Sequence, residues 1–298
     1  MKVLIGYDGS ECADAALDDL QRAGLPSAAE ALVVSVAEQW LPAPPPSSYQ
    51  IVEESFVEGV LGGVIEARRQ ASQAVDDAHS MAFQASKALQ SYFPEFIVSS
   101  EAYSGSPARE ILRRAGQWKA DLIVVGSHSR SAVGRLFLGS VSQRVVTNAE
   151  CPVRVARHQL REKDSPVRII IGIDGSRGSH AAVQEVAERI WPKNSEVRLV
   201  TSVDPLHMYA MEPEDKFAFA RSFHDAAQLE LREAGLQVTS VIQEEDPKLF
   251  LIGEAERWGA DSIFVGARGL NRVERLFLGS ISTAVVSRAH CSVEVVRE

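Results

Sequence analysis

Gly126-Ser-His-Ser-Arg-Ser-Ala-Val-Gly-Arg-Leu-Phe-Leu-Gly-Ser140 returns 140 positions later as Gly266-Ala-Arg-Gly-Leu-Asn-Arg-Val-Glu-Arg-Leu-Phe-Leu-Gly-Ser280. Arg-Leu-Phe-Leu-Gly-Ser is identical in the two copies. Each copy follows a short apolar stretch, Asp121-Leu-Ile-Val-Val125 or Asp261-Ser-Ile-Phe-Val265, that reads as a buried strand. Each leads into a helix-like stretch that runs to Cys151 or Cys291 and a second short apolar run. A strand, a glycine-bounded loop and a Gly-Ser entering a helix make a seat for an anion. The first N–H groups of a helix have no partner inside it and point at whatever lies there.

The same duplication extends outward from the loop. Met1–Tyr7 and Val167–Ile173 read as buried strands, and each runs into Asp-Gly-Ser, at Asp8 and at Asp174. Helix-like stretches follow at Ala13–Arg22 and His180–Ile190, with Ser10 and Ser176 as caps. Strands are expected at Ala31–Val36 and Glu196–Val203, and amphipathic helices at Ile65–Ser91 and Pro213–Ala234. Third strands fall at Phe96–Tyr103 and Gln237–Gln243. Ser106-Pro107 and Asp246-Pro247 then open helices, a capping side chain followed by proline at the first helical position. Strands alternating with helices predict an α/β fold, two tandem doubly wound parallel sheets with helices on both faces. Such sheets bind ligands at the carboxyl ends of their strands, where strand order reverses. The Asp-Gly-Ser turns and the Gly-Ser loops both belong there, so they are expected to converge.

Asp8 to Gly126 spans 118 positions and Asp174 to Gly266 spans 92, so the first half carries about 26 extra residues near 41–69. They start at the proline run Pro42-Ala-Pro-Pro-Pro46 and fit a surface insertion, a lid or a partner-binding arm. The expected domains are residues 1–157 and 167–298, joined by a polar linker at His158–Pro166.

At 298 residues the chain is long enough for two domains with cores of their own. A net charge of −9 argues against nucleic-acid binding as the main task, because duplex affinity comes largely from neutralising phosphates. No apolar run approaches the ~20 residues that span a bilayer, and a strand starts at the N-terminus, so a cytoplasmic protein without membrane partners is expected. Three cysteines without a Cys-x-x-C suggest neither a disulfide framework nor a zinc site, and the histidines show no metal-ligand spacing.

The second copy has the spacing Gly266-x2-Gly269-x9-Gly279-Ser280. This resembles the nucleotide-binding signature of the universal stress protein family, and the resemblance covers nearly the whole chain as two tandem domains. It implies a Rossmann-like fold of the adenine nucleotide alpha hydrolase type, binding ATP, ADP or AMP with Mg²⁺ carried in by the nucleotide. Glycine at 266 and 269 would let backbone approach phosphate and reach positive φ. Gly279 and Ser280 would offer backbone N–H groups and a hydroxyl, with the helix dipole adding about 0.3–1 kcal/mol. Arg268, Arg272 and Arg275 supply cationic reach. The resemblance also assigns phosphate contacts to Ile281 and Ser282, and ribose and adenine to Asp174 and the backbone at Ile173 and Val203.

The corresponding first-half residues are Tyr7, Asp8, Val36, Gly126, His128, Ser129, Gly139, Ser140, Val141 and Ser142. Ser129 stands where the signature has its second glycine, and His128 replaces the permanent cation of Arg268. That site is either tolerated or weakened. Asp8 and Asp174 would either hold ribose or merely cap the first helices, and Arg135 and Arg275 would either reach phosphate or form surface ion pairs.

Three functions compete: a nucleotide-binding stress-response regulator, an interaction scaffold with degenerate sites, and an enzyme cleaving ATP. The chain has no Ser-Gly-Gly-x-Asp-Ser loop, no His-x-Gly-His, no G-x-x-x-x-G-K-[ST] and no G-x-G-x-x-G, so weak hydrolysis is the most that is expected. Universal stress proteins commonly pair through their last strands. Val153-Arg-Val155 and Val293-Glu-Val295 therefore predict pairing of the two halves within one chain, with a homodimer of such chains as the alternative.

Overall fold

A computed structural model describes residues 1–38, 54–128, 138–157, 165–203, 213–269 and 278–297. Within them the first half runs β1 (Lys2–Gly6), α1 (Glu11–Leu20), β2 (Glu30–Ala37), α2 (Glu54–Tyr92), β3 (Ile97–Ser104), α3 (Pro107–Trp118), β4 (Leu122–Gly126), α4 (Ser140–Asn148) and β5 (Val153–Ala156). The second half repeats it as β6 (Arg168–Gly172), α5 (Arg177–Ala187), β7 (Glu196–Ser202), α6 (Pro213–Glu233), β8 (Gln237–Gln243), α7 (Pro247–Trp258), β9 (Ser262–Gly266), α8 (Ser280–Arg288) and β10 (Ser292–Val296).

The sheet order is β3-β2-β1-β4-β5-β10-β9-β6-β7-β8. Pairing is parallel inside each half, as continuous buried runs such as Val3-Leu4-Ile5 require, since helices cover both faces. At the centre β5 meets β10 antiparallel, Val155 opposite Val293 and Arg154 opposite Glu294. The two tandem domains thus pair through their last strands within one chain.

One face of this sheet is a single core. Ala108 and Ile111 of α3, Val145 and Val146 of α4, Phe250 of α7 and Val285 and Val286 of α8 pack over strands from both halves. The opposite face holds two separate clusters, one under α1 and α2 and one under α5 and α6. Between these clusters lies a buried charge network. Arg154 reaches Asp19 of α1 (2.6 Å) and Glu294 (3.3 Å), and Arg189 after α5 pairs with Glu294 and Glu185. The side chains of Arg154 and Glu294 are 1% and 0% exposed.

Several helix starts follow the sequence closely. Ser10 Oγ accepts the Ala13 N–H, Ser176 Oγ accepts that of Ser179, and Asp246 accepts those of Lys248 and Leu249. Ser106 makes no such bond, so α3 relies on Pro107 alone. Helix α2 begins at Glu54 rather than near Ile65, which places residues 54–69 in its N-terminal turns. Gly59, Gly62 and Gly63, each costing ~1 kcal/mol in a helix, hid the four-residue apolar spacing of Phe56, Val60 and Val64. The proline run and most of the linker lie outside the described residues. Among the described residues no helix is long and apolar enough to cross a membrane.

Candidate functional site

In each half the strand order reverses between the first and fourth strands, β1 beside β4 and β6 beside β9. The chain leaves both strands of each pair at the same edge. After β1 and β6 comes the same tight turn: Asp8 Oδ1 accepts the Ser10 N–H at 3.0 Å, and Asp174 Oδ1 that of Ser176 at 3.0 Å. Gly9 and Gly175 take φ of +70° and +81°, which any Cβ would oppose. Ser10 and Ser176 cap the helices, so the aspartates are not themselves the caps. In the second half the turn meets the loop after β9. Asp174 Oδ2 lies 2.6 Å from where a Cβ on Gly269 would stand, and Ser176 Oγ is 3.5 Å from the Arg268 carbonyl.

The glycines act differently from the expectation. Neither Gly266 nor Gly269 has positive φ. Gly266 is small because α5 packs on the strand end, where a Cβ would come within 2.5 Å of the Gly178 backbone. Gly126 meets the Cys12 carbonyl of α1 in the same way, at 2.7 Å. Gly269 leaves room for the Asp174 carboxylate. These are close-approach glycines rather than left-handed ones.

At the start of α4 and α8 the N-caps are Gly139 and Gly279, with no side-chain oxygen accepting the first N–H groups. Their own N–H groups donate to the Ser127 and Ala267 carbonyls, each at 2.8 Å. The hydroxyls of Ser142 and Ser282 are buried and donate to the Gly126 and Gly266 carbonyls (2.6 and 2.7 Å), which pins helix to strand. What the seat presents is the first-turn N–H groups of Ser280, Ile281 and Ser282, or Ser140, Val141 and Ser142. The exposed hydroxyls of Ser280 and Ser140 stand beside them.

The backbone assigned to adenine and ribose is more occupied than expected. The Ile173 N–H bonds to Val200 and its carbonyl accepts the Thr201 hydroxyl; Tyr7 does the same with Val34 and Ser35. The Val203 N–H is taken by Gln243, and its side chain is buried. Val36 is half-buried, opposite Tyr103 in the sheet. These residues lie at the carboxyl ends of the strands, where the second Asp174 oxygen packs against Gly269.

His128 does not replace the charge of Arg268. Burial, and then the Arg157 charge, hold its pKa below the ordinary imidazole value, so it is neutral at pH 7. Its Nδ1 is 3.0 Å from Ser127 Oγ, and Nε2 is buried without a hydrogen-bond partner among the described residues. Ser129, Arg135, Arg272 and Arg275 lie outside the described residues. Cys151 and Cys291 are free thiols beside the seam strands, and burial pushes them up to about 11 and about 12.

Two features carry no sequence signal of their own. His224 of α6 is buried against β7 and β8, 2.7 Å from Thr201 Oγ1 and bonded to Ser240 Oγ. Because Thr201 donates to Ile173, the imidazole donates through Nε2 and accepts through Nδ1; burial pushes its pKa down to about 4. The second is a pair of arginines 140 positions apart, Arg157 and Arg297, that cross the seam. Arg157 donates to the Val286 carbonyl in the last turn of α8 and to Cys291 (3.3 Å). Arg297 donates to the Val146 and Thr147 carbonyls in the last turn of α4.

The sequence model of the universal stress protein family matches residues 1–157 and again 167–297. The chain belongs to the universal stress protein family. A universal stress protein of Mycobacterium tuberculosis (strain ATCC 25618 / H37Rv) is 26% identical over 314 residues, covering 99% of this chain and 97% of the relative. One from Thermus aquaticus is 57% identical over 53 residues, 18% of this chain and 39% of its own length. The crystal structure of a universal stress protein from Archaeoglobus fulgidus DSM 4304 superposes over 99% of this chain and 98% of its own, with a TM-score of 0.66 at 19% identity. At that identity the likeness is one of fold.

Proposed function

We propose that this universal stress protein is an adenine-nucleotide-binding regulator acting in the cytoplasm, with ATP held chiefly by the second half. The carrying observation is the start of α8, where a glycine N-cap leaves first-turn N–H groups without a side-chain acceptor, at the strand edge where the Asp174 carboxylate packs against the loop at Gly269. A polyphosphate meets those N–H groups and the helix dipole; the ribose hydroxyls meet Asp174; Arg268 stands half-buried beside the seat. Mg²⁺ arrives with the nucleotide and neutralises phosphate charge there. The described residues hold no group of three or more His, Cys, Asp or Glu arranged for a metal of their own. The first half presents the same helix start with a neutral His128, so its seat attracts an anion less strongly.

Gly279→Asp tests this reading. The N-cap backbone, φ −61° and ψ 151°, suits aspartate, and the nearest atom to a new Cβ is the Ala267 carbonyl oxygen at 3.3 Å. As a better cap than glycine, aspartate leaves α8 at least as stable by a few tenths of a kcal/mol. Its carboxylate occupies the N–H groups meant for phosphate and repels the ligand. Two lost charge-assisted bonds at about 1.5–3 kcal/mol each weaken second-half binding by at least about 100-fold in calorimetric titration. A well-folded variant with unchanged affinity overturns the site.

A further inference from the structure

We propose that the two nucleotide seats are cross-wired: Arg157 of the first half positions the second-half seat, and Arg297 of the second half positions the first-half seat. This rests on the nucleotide reading above. Each arginine follows the last strand of its own half and bonds to the carboxyl end of the helix whose amino end is the other half's seat. The α4 and α8 helices are nine residues each, about 13 Å, so the two ends of each move as one short rod. At its start α8 is tied by the Gly279 N–H to Ala267 and by Ser282 to Gly266. Its far end is tied across the seam, where a guanidinium satisfies carbonyls that the helix itself leaves orphaned and complements the negative end of its dipole.

The Arg157 charge helps hold the His128 pKa down, and the Arg268 charge does the same to Arg297. Beside the α8 anchor the Arg157 backbone N–H also donates to Ser292 Oγ at 3.0 Å, a position where the other half has Pro152. By linkage, a nucleotide that orders the start of α8 tightens the seam, and an intact seam favours the nucleotide.

The experiment is calorimetric titration of the full chain with ATP and Mg²⁺, with one seat silenced at a time by Gly139→Asp or Gly279→Asp. In the Gly139→Asp background, Arg157→Met is expected to weaken binding about tenfold, within the usual range of coupling between sites, while Arg297→Met leaves it within about twofold. In the Gly279→Asp background the dependence reverses wherever the first seat binds measurably. Arg157→Lys, which keeps the cation and one donor, recovers most of the affinity and serves if the methionine variant fails to fold. Hydrogen exchange at Ser280–Ser282 rises in Arg157→Met and not in Arg297→Met. A role confined to holding the fold would lower the melting temperature without this crossed pattern. Equal effects of both arginines on the second seat, or none, overturn the cross-wiring while leaving the nucleotide reading intact. No binding by the unmodified chain overturns both.

Discussion

Replacing Arg154 with methionine removes the guanidinium at the centre of the seam. It makes three bonds: Nε to Asp19 Oδ2 at 2.6 Å, Nη2 to Asp19 Oδ1 at 3.0 Å and Nη1 to Glu294 Oε2 at 3.3 Å. Asp19, 9% exposed, is left with the Ser292 hydroxyl at 2.7 Å, and the fully buried Glu294 with Arg189 alone. Breaking a buried ion pair by deleting one partner costs about 3–5 kcal/mol, because the other charge stays out of water unpaired. Methionine fills much of the volume, so cavity formation adds little. Arg154→Lys keeps the charge but cannot fork between two carboxylates, and loses about 1–2 kcal/mol. The assay is equilibrium urea denaturation at pH 7 followed by circular dichroism. One cooperative transition is expected for the unmodified chain, because one face of the sheet is a single core shared by both halves. A loss below about 1 kcal/mol for Arg154→Met refutes the energetic role of the network. Two separate transitions in the unmodified chain refute the shared core.

His224, buried neutral with a pKa of about 4, makes stability depend on pH. Its folded value lies below the ~6.5 of an unfolded chain, so the unfolded state binds the extra proton and stability is lost as pH falls from 6.5 toward 4. The loss approaches about 3 kcal/mol; His224→Gln, which keeps a donor and an acceptor without titrating, flattens this part of the profile, and parallel profiles contradict the assignment. Gly269→Ser writes the first-half pattern into the second loop. The new Cβ would stand 2.6 Å from Asp174 Oδ2, and that carboxylate is already tied to Ser176, so nucleotide affinity falls about tenfold with stability changed by less than about 1 kcal/mol. Unchanged affinity would show that Asp174 does not face the ligand.

The fold was legible because its signals are local and repeated. Buried runs such as Ile169-Ile-Ile171, the serine caps at Ser10 and Ser176, and Pro107 and Pro247 each say the same thing in two places. Seam pairing was expected from the family resemblance, with the alternation Val-Arg-Val and Val-Glu-Val in support, although nothing in either triplet says that Arg154 and Glu294 face each other. The meeting of the Asp-Gly-Ser turn with the loop after β9 was legible, but not its bonding atom by atom. Ser282 and Gly279 look like donors in sequence, yet their protons go to Gly266 and Ala267 across a strand end, a long-range pairing that spacing alone does not encode. Gly266 looks like a turn glycine and is a packing glycine, because α5 lies 88 positions earlier in the chain, at Gly178. Arg157, Arg297 and His224 have no motif around them. Their roles come from which helix end or strand the tertiary fold brings to them.

The central claim is that the second half holds an adenine nucleotide, and the most direct measurement is the nucleotide content of the freshly purified chain, released by denaturation and counted by chromatography, with titration by ATP and Mg²⁺ on the stripped protein. The account predicts one adenine nucleotide per chain, lost in Gly279→Asp; a second per chain would place Ser129 and the neutral His128 within what the seat tolerates. No nucleotide released, and no heat on titration of the folded protein, would contradict it and leave the chain an interaction scaffold.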